Sequence, residues 1–257
     1  MEFIDQLYRK VYLPTTPQRI ISLVPSQTEL LIALGLRNNL VGITKFCVHP
    51  QNLKSEIPIV GGTKNVNFEK IKSLRPDIII CNKEENTKDM VKELEKIAPL
   101  WISDIETIDD SIQMIIQLGE IFNKNSKASE IASKIDFEVN KFREFLKSFN
   151  TKKVLYLIWK NPYMAAGKST FIDSLLQENK YENIFSDASD RYPEVDPEDF
   201  LKADLILLST EPYPFKKADV TAFTNEFKKE VKLVNGEFFS WYGSRLCSAF
   251  EYFKTLH

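Results

Sequence analysis

Short runs rich in Ile, Val and Leu alternate along this chain with segments whose apolar residues recur every three or four positions. The first pattern predicts strands and the second predicts helices. Strands are expected at Arg19–Val24, Leu40–Phe46, Ile57–Val60, Asp77–Cys81 and Leu100–Ser103. A second series is expected at Lys153–Trp159, Asp204–Ser209 and Lys232–Val234. Helical spacing fills intervals such as Glu29–Leu34, Phe68–Leu74 and Lys88–Ile97. Alternating strands and helices, with strands apolar enough to be buried on both faces, argue for parallel sheets covered by helices.

Helix starts are marked as well. Ser26-Gln-Thr-Glu29 reads as a capping box, with Gly35 as the stop. Asp196-Pro197-Glu198-Asp199 offers a capping side chain, a proline at the first helical position, then acids that suit the helix dipole. The segment Ser126–Phe149 holds neither Gly nor Pro and sets Ile131, Ile135, Val139, Phe142, Leu146 and Phe149 at helical spacing. About 24 helical residues would reach ~36 Å, the width of a small domain. Such a helix between two α/β halves reads as a rigid connector. The expected domains are therefore residues 1–120, a connecting helix at 121–150, and residues 151–257.

The halves also echo each other. Val66-Asn-Phe-Glu69 runs on to Asp77 and an apolar strand, as Val195-Asp-Pro-Glu198 runs on to Asp204 and another. Two similar lobes fit this order.

Composition narrows the function. The chain has 257 residues, 43% hydrophobic and 27% charged, with a net charge of −2, so no nucleic-acid partner is indicated. No apolar run approaches the roughly 20 residues that span a bilayer. The start, MEFIDQLYRKVYLP, carries acids and no continuous apolar stretch, and does not read as a secretory signal. On that ground alone the expected location is the cytoplasm, or the outside for a mature form whose signal has been replaced by a start codon.

Ligands of open parallel sheets bind beyond the carboxyl ends of the strands. The loops there carry Phe46, Lys64, Glu84, Tyr163, Tyr192, Tyr213, Trp241, Tyr242 and Arg245. Several rings around one cleft would suit a large planar or macrocyclic ligand. Cys47 and His49 stand two apart in "TKFCVHP", and the chain has only three cysteines and two histidines. Three readings stay open for the pair: structural, ligand contact including axial metal coordination, and catalytic. Glu84 and Glu85 would have to complete a metal site, since a structural zinc takes four ligands. Phosphate-loop, zinc-protease, dinucleotide and serine-hydrolase motifs do not occur in the chain. A binding protein is the simpler reading.

The stretches "RIISLVPSQTELLIALGL", "VGITKF", "NFEKIKSLRPDIII", "NPYMAAGKSTFIDSLL" and "YPEVDPEDFLKADLILL" resemble the helical-backbone, or class III, substrate-binding proteins of ABC importers that carry cobalamin and ferric siderophores. The resemblance runs from about Arg19 to Leu256. It implies two α/β lobes joined by one long helix, with the ligand in the cleft between them and no cofactor of the protein's own. The bound corrinoid, tetrapyrrole or iron chelate would be cargo. Family cobalamin binders line the cleft with aromatic rings, matched here at Phe46, Tyr163 and Tyr192 but not at Thr63, where a tryptophan is expected. Glu69 and Glu198 match the glutamates that dock on the permease. The implied partners are that permease and its ATPase, with the binding protein monomeric and periplasmic or membrane-associated. The alternative is an intracellular corrinoid, tetrapyrrole or metal carrier, or an enzyme on the same fold.

Overall fold

The structure is a computed structural model that describes residues 1–257. The chain divides into two compact units. Unit 1 takes Met1–Asp104, Asp109–Asp136 and Tyr242–Cys247, and unit 2 takes Ile105–Ile108, Phe137–Trp241 and Ser248–His257.

Unit 1 opens with an antiparallel hairpin of β1 (Glu2–Ile4) and β2 (Lys10–Tyr12). Its main sheet contains β3 (Ile20–Ser22), β4 (Leu40–Thr44), β5 (Ile59–Gly61), β6 (Ile78–Asn82) and β7 (Leu100–Ser103). All pairs are parallel, in the order β5-β4-β3-β6-β7. Its helices include α1 (Pro25–Ala33), α2 (Leu53–Glu56), α3 (Phe68–Ser73), α4 (Lys88–Leu94) and α5 (Ile108–Ile121). Ile78, Ile79 and Ile80 are all buried, because β6 is covered on both faces. Residues Ile79 and Cys81 join Leu23, Val60, Leu94 and Ile102 in one core cluster. Each large apolar side chain so buried contributes roughly 1.5–3 kcal/mol.

The helix α6 (Asn125–Phe145) follows, extended by a 3-10 turn at Leu146–Ser148. Of the predicted stripe, Ile131, Ile135, Val139, Phe142 and Leu146 are buried, whereas Phe149 lies past the end of the helical segment and is half-buried. Residues up to Asp136 belong to unit 1 and those from Phe137 to unit 2.

Unit 2 contains β8 (Lys152–Trp159), β9 (Met164–Ala165), α7 (Phe171–Glu178), β10 (Tyr181–Asn183), α8 (Asp199–Lys202) and β11 (Leu205–Ser209). It continues with α9 (Lys217–Phe227), β12 (Glu230–Val234), α10 (Gly236–Ser240) and α11 (Leu246–Lys254). The parallel order is β10-β8-β11-β12, with β9 antiparallel on β8.

Both expected caps need correction. Helix α1 begins at Pro25, so Ser26 already lies inside it and Val24 at the cap offers no oxygen. Proline at the first helical position sets the start instead. Gly35 does end this helix, with φ +82 and the amide of Leu36 reaching back to the Leu31 carbonyl at 2.9 Å. Ahead of α8, Asp199 accepts from the amide of Asp196 at 2.9 Å, and Glu198 stands at the cap without a side-chain bond.

The N-terminal hairpin was not predicted, since three-residue strands show too little alternation to be found. It shields the edge strand β7. The amide of Gln6 donates to the Ile102 carbonyl at 3.2 Å, and Asp5 accepts from the Ile102 amide at 3.3 Å. Arg9 donates to the Leu100 carbonyl at 3.3 Å. An edge closed in this way cannot recruit another strand.

Candidate functional site

In each unit the first strand of the parallel sheet lies inside it, and later strands are added on either side. The direction of winding reverses between β3 and β6 in unit 1 and between β8 and β11 in unit 2. At such switch points the loops part beyond the strand ends and leave a place for ligand.

The unit 1 switch point has a buried polar floor. Gln27 on α1 is fully buried, and its amide donates to the Ser103 hydroxyl, the Cys81 carbonyl at 3.4 Å and the Tyr242 hydroxyl at 3.2 Å. The Gln27 Oε1 is buried without a partner. Asn82, the last residue of β6, donates to Ser103 Oγ at 2.9 Å and accepts from the amides of Glu84 and Glu85 at 2.9 and 3.0 Å. The Asn82 amide in turn donates to Asn86 Oδ1 at 2.8 Å, and Asn86 Nδ2 donates to the Thr63 carbonyl at 2.8 Å. Lys64 Nζ donates to the Glu84 carbonyl. The loops after β5 and β6 are thus bound to each other and to the sheet.

Glu85 is half-buried in this assembly. Burial pushes its carboxyl pKa up, against the opposing charge of Lys64 and the hydroxyl of Thr63. The Tyr242 hydroxyl is pushed up as well, again by burial.

Cys47 and His49 differ in environment. Cys47 is 1% exposed, its Sγ within 3.2 Å of Thr28 Oγ1 and 3.3 Å of Thr44 Oγ1. Burial raises the pKa of its thiol, which disfavours the thiolate that a nucleophile or metal ligand requires. His49 is half-buried in the same loop. No group of three or more His, Cys, Asp or Glu side chains is placed to hold a metal ion, so Cys47, His49, Glu84 and Glu85 do not form the metal set considered from sequence. The geometry around Cys47 supports its structural reading.

The predicted rings also divide. Phe46 is 48% exposed just beyond β4, with Lys45 Nζ 5.0 Å from its centroid. Trp241 and Tyr242 are buried, their faces occupied by packing. Tyr163 is half-buried against Phe200 and Phe223, both at 5.5 Å between centroids. Tyr192 is half-buried in a segment that hydrogen-bonds along β9, as Ala165 N to the Pro193 carbonyl at 3.0 Å. Arg245 is engaged by Glu29 of α1 at 2.9 and 3.0 Å, a bidentate pair within unit 1. Glu69 is exposed in the first turn of α3, whose cap Asn67 accepts from the Lys70 amide at 2.9 Å. Glu198 is exposed at the cap of α8.

One ring escaped prediction. Trp159 ends β8 at 41% exposure and meets the half-buried Tyr213 edge-on at 5.8 Å. Its signal was a tryptophan closing an apolar strand directly before Lys160-Asn-Pro-Tyr163. Lys160 beside it pairs with Asp219 at 2.6 Å. A cleft of about 500 Å³ opens beyond β11 and β12, lined by Thr210, Glu211, Asn235, Glu237 and Tyr252 among others.

Known proteins place this architecture. The model of the periplasmic binding protein family matches residues 20–234. A vitamin B12-binding protein of Pectobacterium carotovorum is 27% identical over 237 residues, covering 91% of this chain and 86% of that one. The solved periplasmic vitamin B12 binding protein BtuF of Vibrio cholerae has a TM-score of 0.80 at 22% identity, covering 94% of this chain and 97% of that one. The molybdate periplasmic binding protein MolA of Haemophilus influenzae reaches 0.81 at 16% identity, covering 100% and 91%. Likeness to structures so distant in sequence shows the fold alone. The chain belongs to the periplasmic binding protein family, among the helical-backbone substrate-binding proteins of ABC importers.

Proposed function

We propose that this chain captures a corrinoid outside the cytoplasmic membrane and hands it to an ABC permease. The observation that carries the ligand class is a pair of exposed rings, Phe46 and Trp159, each at the carboxyl end of a parallel strand and one in each unit. Flat apolar surfaces in that position suit a macrocycle, and the likeness to a vitamin B12-binding protein along 91% of the chain agrees with one. Glu69 and Glu198, exposed at helix starts on the two units, are the surface for basic residues of the permease. A second reading rests on Lys45 and Lys64, both exposed near Phe46 or the β5 loop, which would suit an anionic haem or ferric chelate.

The test is a titration of the purified protein with cyanocobalamin, dicyanocobinamide, haemin and a ferric catecholate, followed by visible absorption and tryptophan fluorescence. Saturable binding of one equivalent of a corrinoid, with none of the others competing, is the expected outcome. Saturation by haemin or the ferric chelate without a corrinoid response would replace the ligand assignment with the second reading.

A further inference from the structure

We propose that Lys45 determines specificity for an anionic substituent, a phosphodiester in the corrinoid case, at the edge of a macrocycle that covers Phe46. This rests on the corrinoid reading above and adds the chemistry of the ligand edge that unit 1 recognises.

The way the two side chains are held is the first ground. Lys45 leaves β4 with its amide donating to the Gly61 carbonyl at 2.8 Å, and the Phe46 amide donates to Thr44 Oγ1 at 3.3 Å. Both side chains lie over Gly62, where a Cβ would stand 3.3 Å from Phe46 Cε2 and 3.6 Å from Lys45 Cε. The missing side chain at Gly62 gives the ring and the lysine stem their seat. The ammonium comes to 5.0 Å from the ring centroid, and Phe46 still remains 48% exposed. One ligand can therefore meet the apolar surface and the charge together.

Charge balance is the second ground. Elsewhere in unit 1, Arg37 is paired with Glu56 and Lys83 with Asp104. Lys45 has the Phe46 ring as its neighbour and Lys54 donates to the Lys45 carbonyl at 3.4 Å, and neither ammonium meets a carboxylate. Lys64 differs, since it donates to the Glu84 carbonyl and its charge is offset by the nearby Glu85 carboxyl. A ring face and a peptide carbonyl attract a cation without cancelling its charge, and an ammonium has three N–H donors to place. A phosphodiester brought to this edge supplies the anion through charge-assisted hydrogen bonds. Both lysines are exposed, so the gain is modest and sensitive to salt.

The test compares affinities for cyanocobalamin, which carries a phosphodiester, and dicyanocobinamide, which lacks it. They are measured on wild type, Lys45→Met and Lys45→Arg, at low and at physiological salt. Wild type is expected to favour cyanocobalamin at least threefold. Lys45→Met keeps a stem over Gly62 without the charge, and should lower the ratio of the two affinities at least threefold. Lys45→Arg should restore the ratio to within twofold of wild type, and added salt should lower it in wild type but not in Lys45→Met. A ratio that Lys45→Met leaves unchanged overturns the proposal, and if both affinities fall together the lysine serves only to support the ring. A ratio that Lys45→Arg does not restore, or that salt does not move in wild type, overturns it as well. Should Lys45→Met fail to fold, Lys45→Gln carries the same expectation and the same refutation. Equal wild-type affinities for the two probes would overturn the role of Lys45 and keep a corrinoid as ligand. Binding of neither probe would overturn the corrinoid reading and this inference with it.

Discussion

Cys47 and Phe46 are neighbours in sequence and opposites in environment. The thiol is enclosed between two threonine hydroxyls, whereas the ring is nearly half exposed. Cys47→Ser should therefore lower stability by about 1 kcal/mol, the scale of one hydrogen bond and its packing, with corrinoid affinity kept within about twofold. Phe46→Ala and Trp159→Ala should behave in the reverse manner. Each is expected to weaken corrinoid binding at least about tenfold, or ~1.4 kcal/mol, with the melting temperature nearly unchanged. Tyr163→Ala offers the contrast, since its ring packs on Phe200 and Phe223. It should cost roughly 2–4 kcal/mol in urea unfolding, at the lower end of large-to-small core changes because the residue is half-buried. A Tyr163→Ala protein of wild-type stability would show that this ring is not part of the core.

At the scale of elements, the end of the chain docks against α6 and β10. The His257 ring lies 6.1 Å from Phe142 and 5.2 Å from Phe149, and stacks on Tyr181 at 5.0 Å. Burial, with Lys232 and Lys152 nearby, lowers its pKa to about 4. The folded state thus prefers the neutral ring more than the unfolded state does. Its contribution is complete above the unfolded value near 6.5 and is lost as pH falls through about 4. The ring keeps solvent contact, so the effect is smaller than full burial would give. The midpoint of urea unfolding should fall between those pH values by more in the wild type than in His257→Gln. Equal slopes for the two proteins would remove the linkage.

At the scale of the molecule, a net charge of −2 gives no strong overall field, so the proposed docking on a permease would depend on local charges. Glu69 and Glu198 are exposed, one on each unit. In the proposed docking role, such charges would act mainly on association rate and salt dependence. The double reversal Glu69→Lys with Glu198→Lys should leave corrinoid affinity within about twofold and abolish capture by the permease in nanodiscs. Wild-type capture should weaken as ionic strength rises to physiological levels, where the screening length falls to about 8 Å. Unimpaired delivery by the double reversal would reduce both residues to helix-start acids.

The apolar runs by themselves determined the parallel α/β class, because a strand buried on both faces must be apolar at consecutive positions, as Ile78–Ile80 are. Periodicity likewise determined the stripe of α6, and Gly35 the end of α1, since both are consequences of local geometry. Tertiary structure decided which loop residues remain available. Trp241 and Tyr242 resemble Phe46 in sequence, yet they are buried, and Tyr242 joins unit 1 through contacts with a residue 215 positions away. Arg245 looked free until Glu29, 216 positions distant, was brought against it. The buried polar floor around Gln27 has the same origin. It depends on Gln27, Asn82, Ser103 and Tyr242 meeting at the carboxyl edge of one sheet, and no local pattern specifies that meeting.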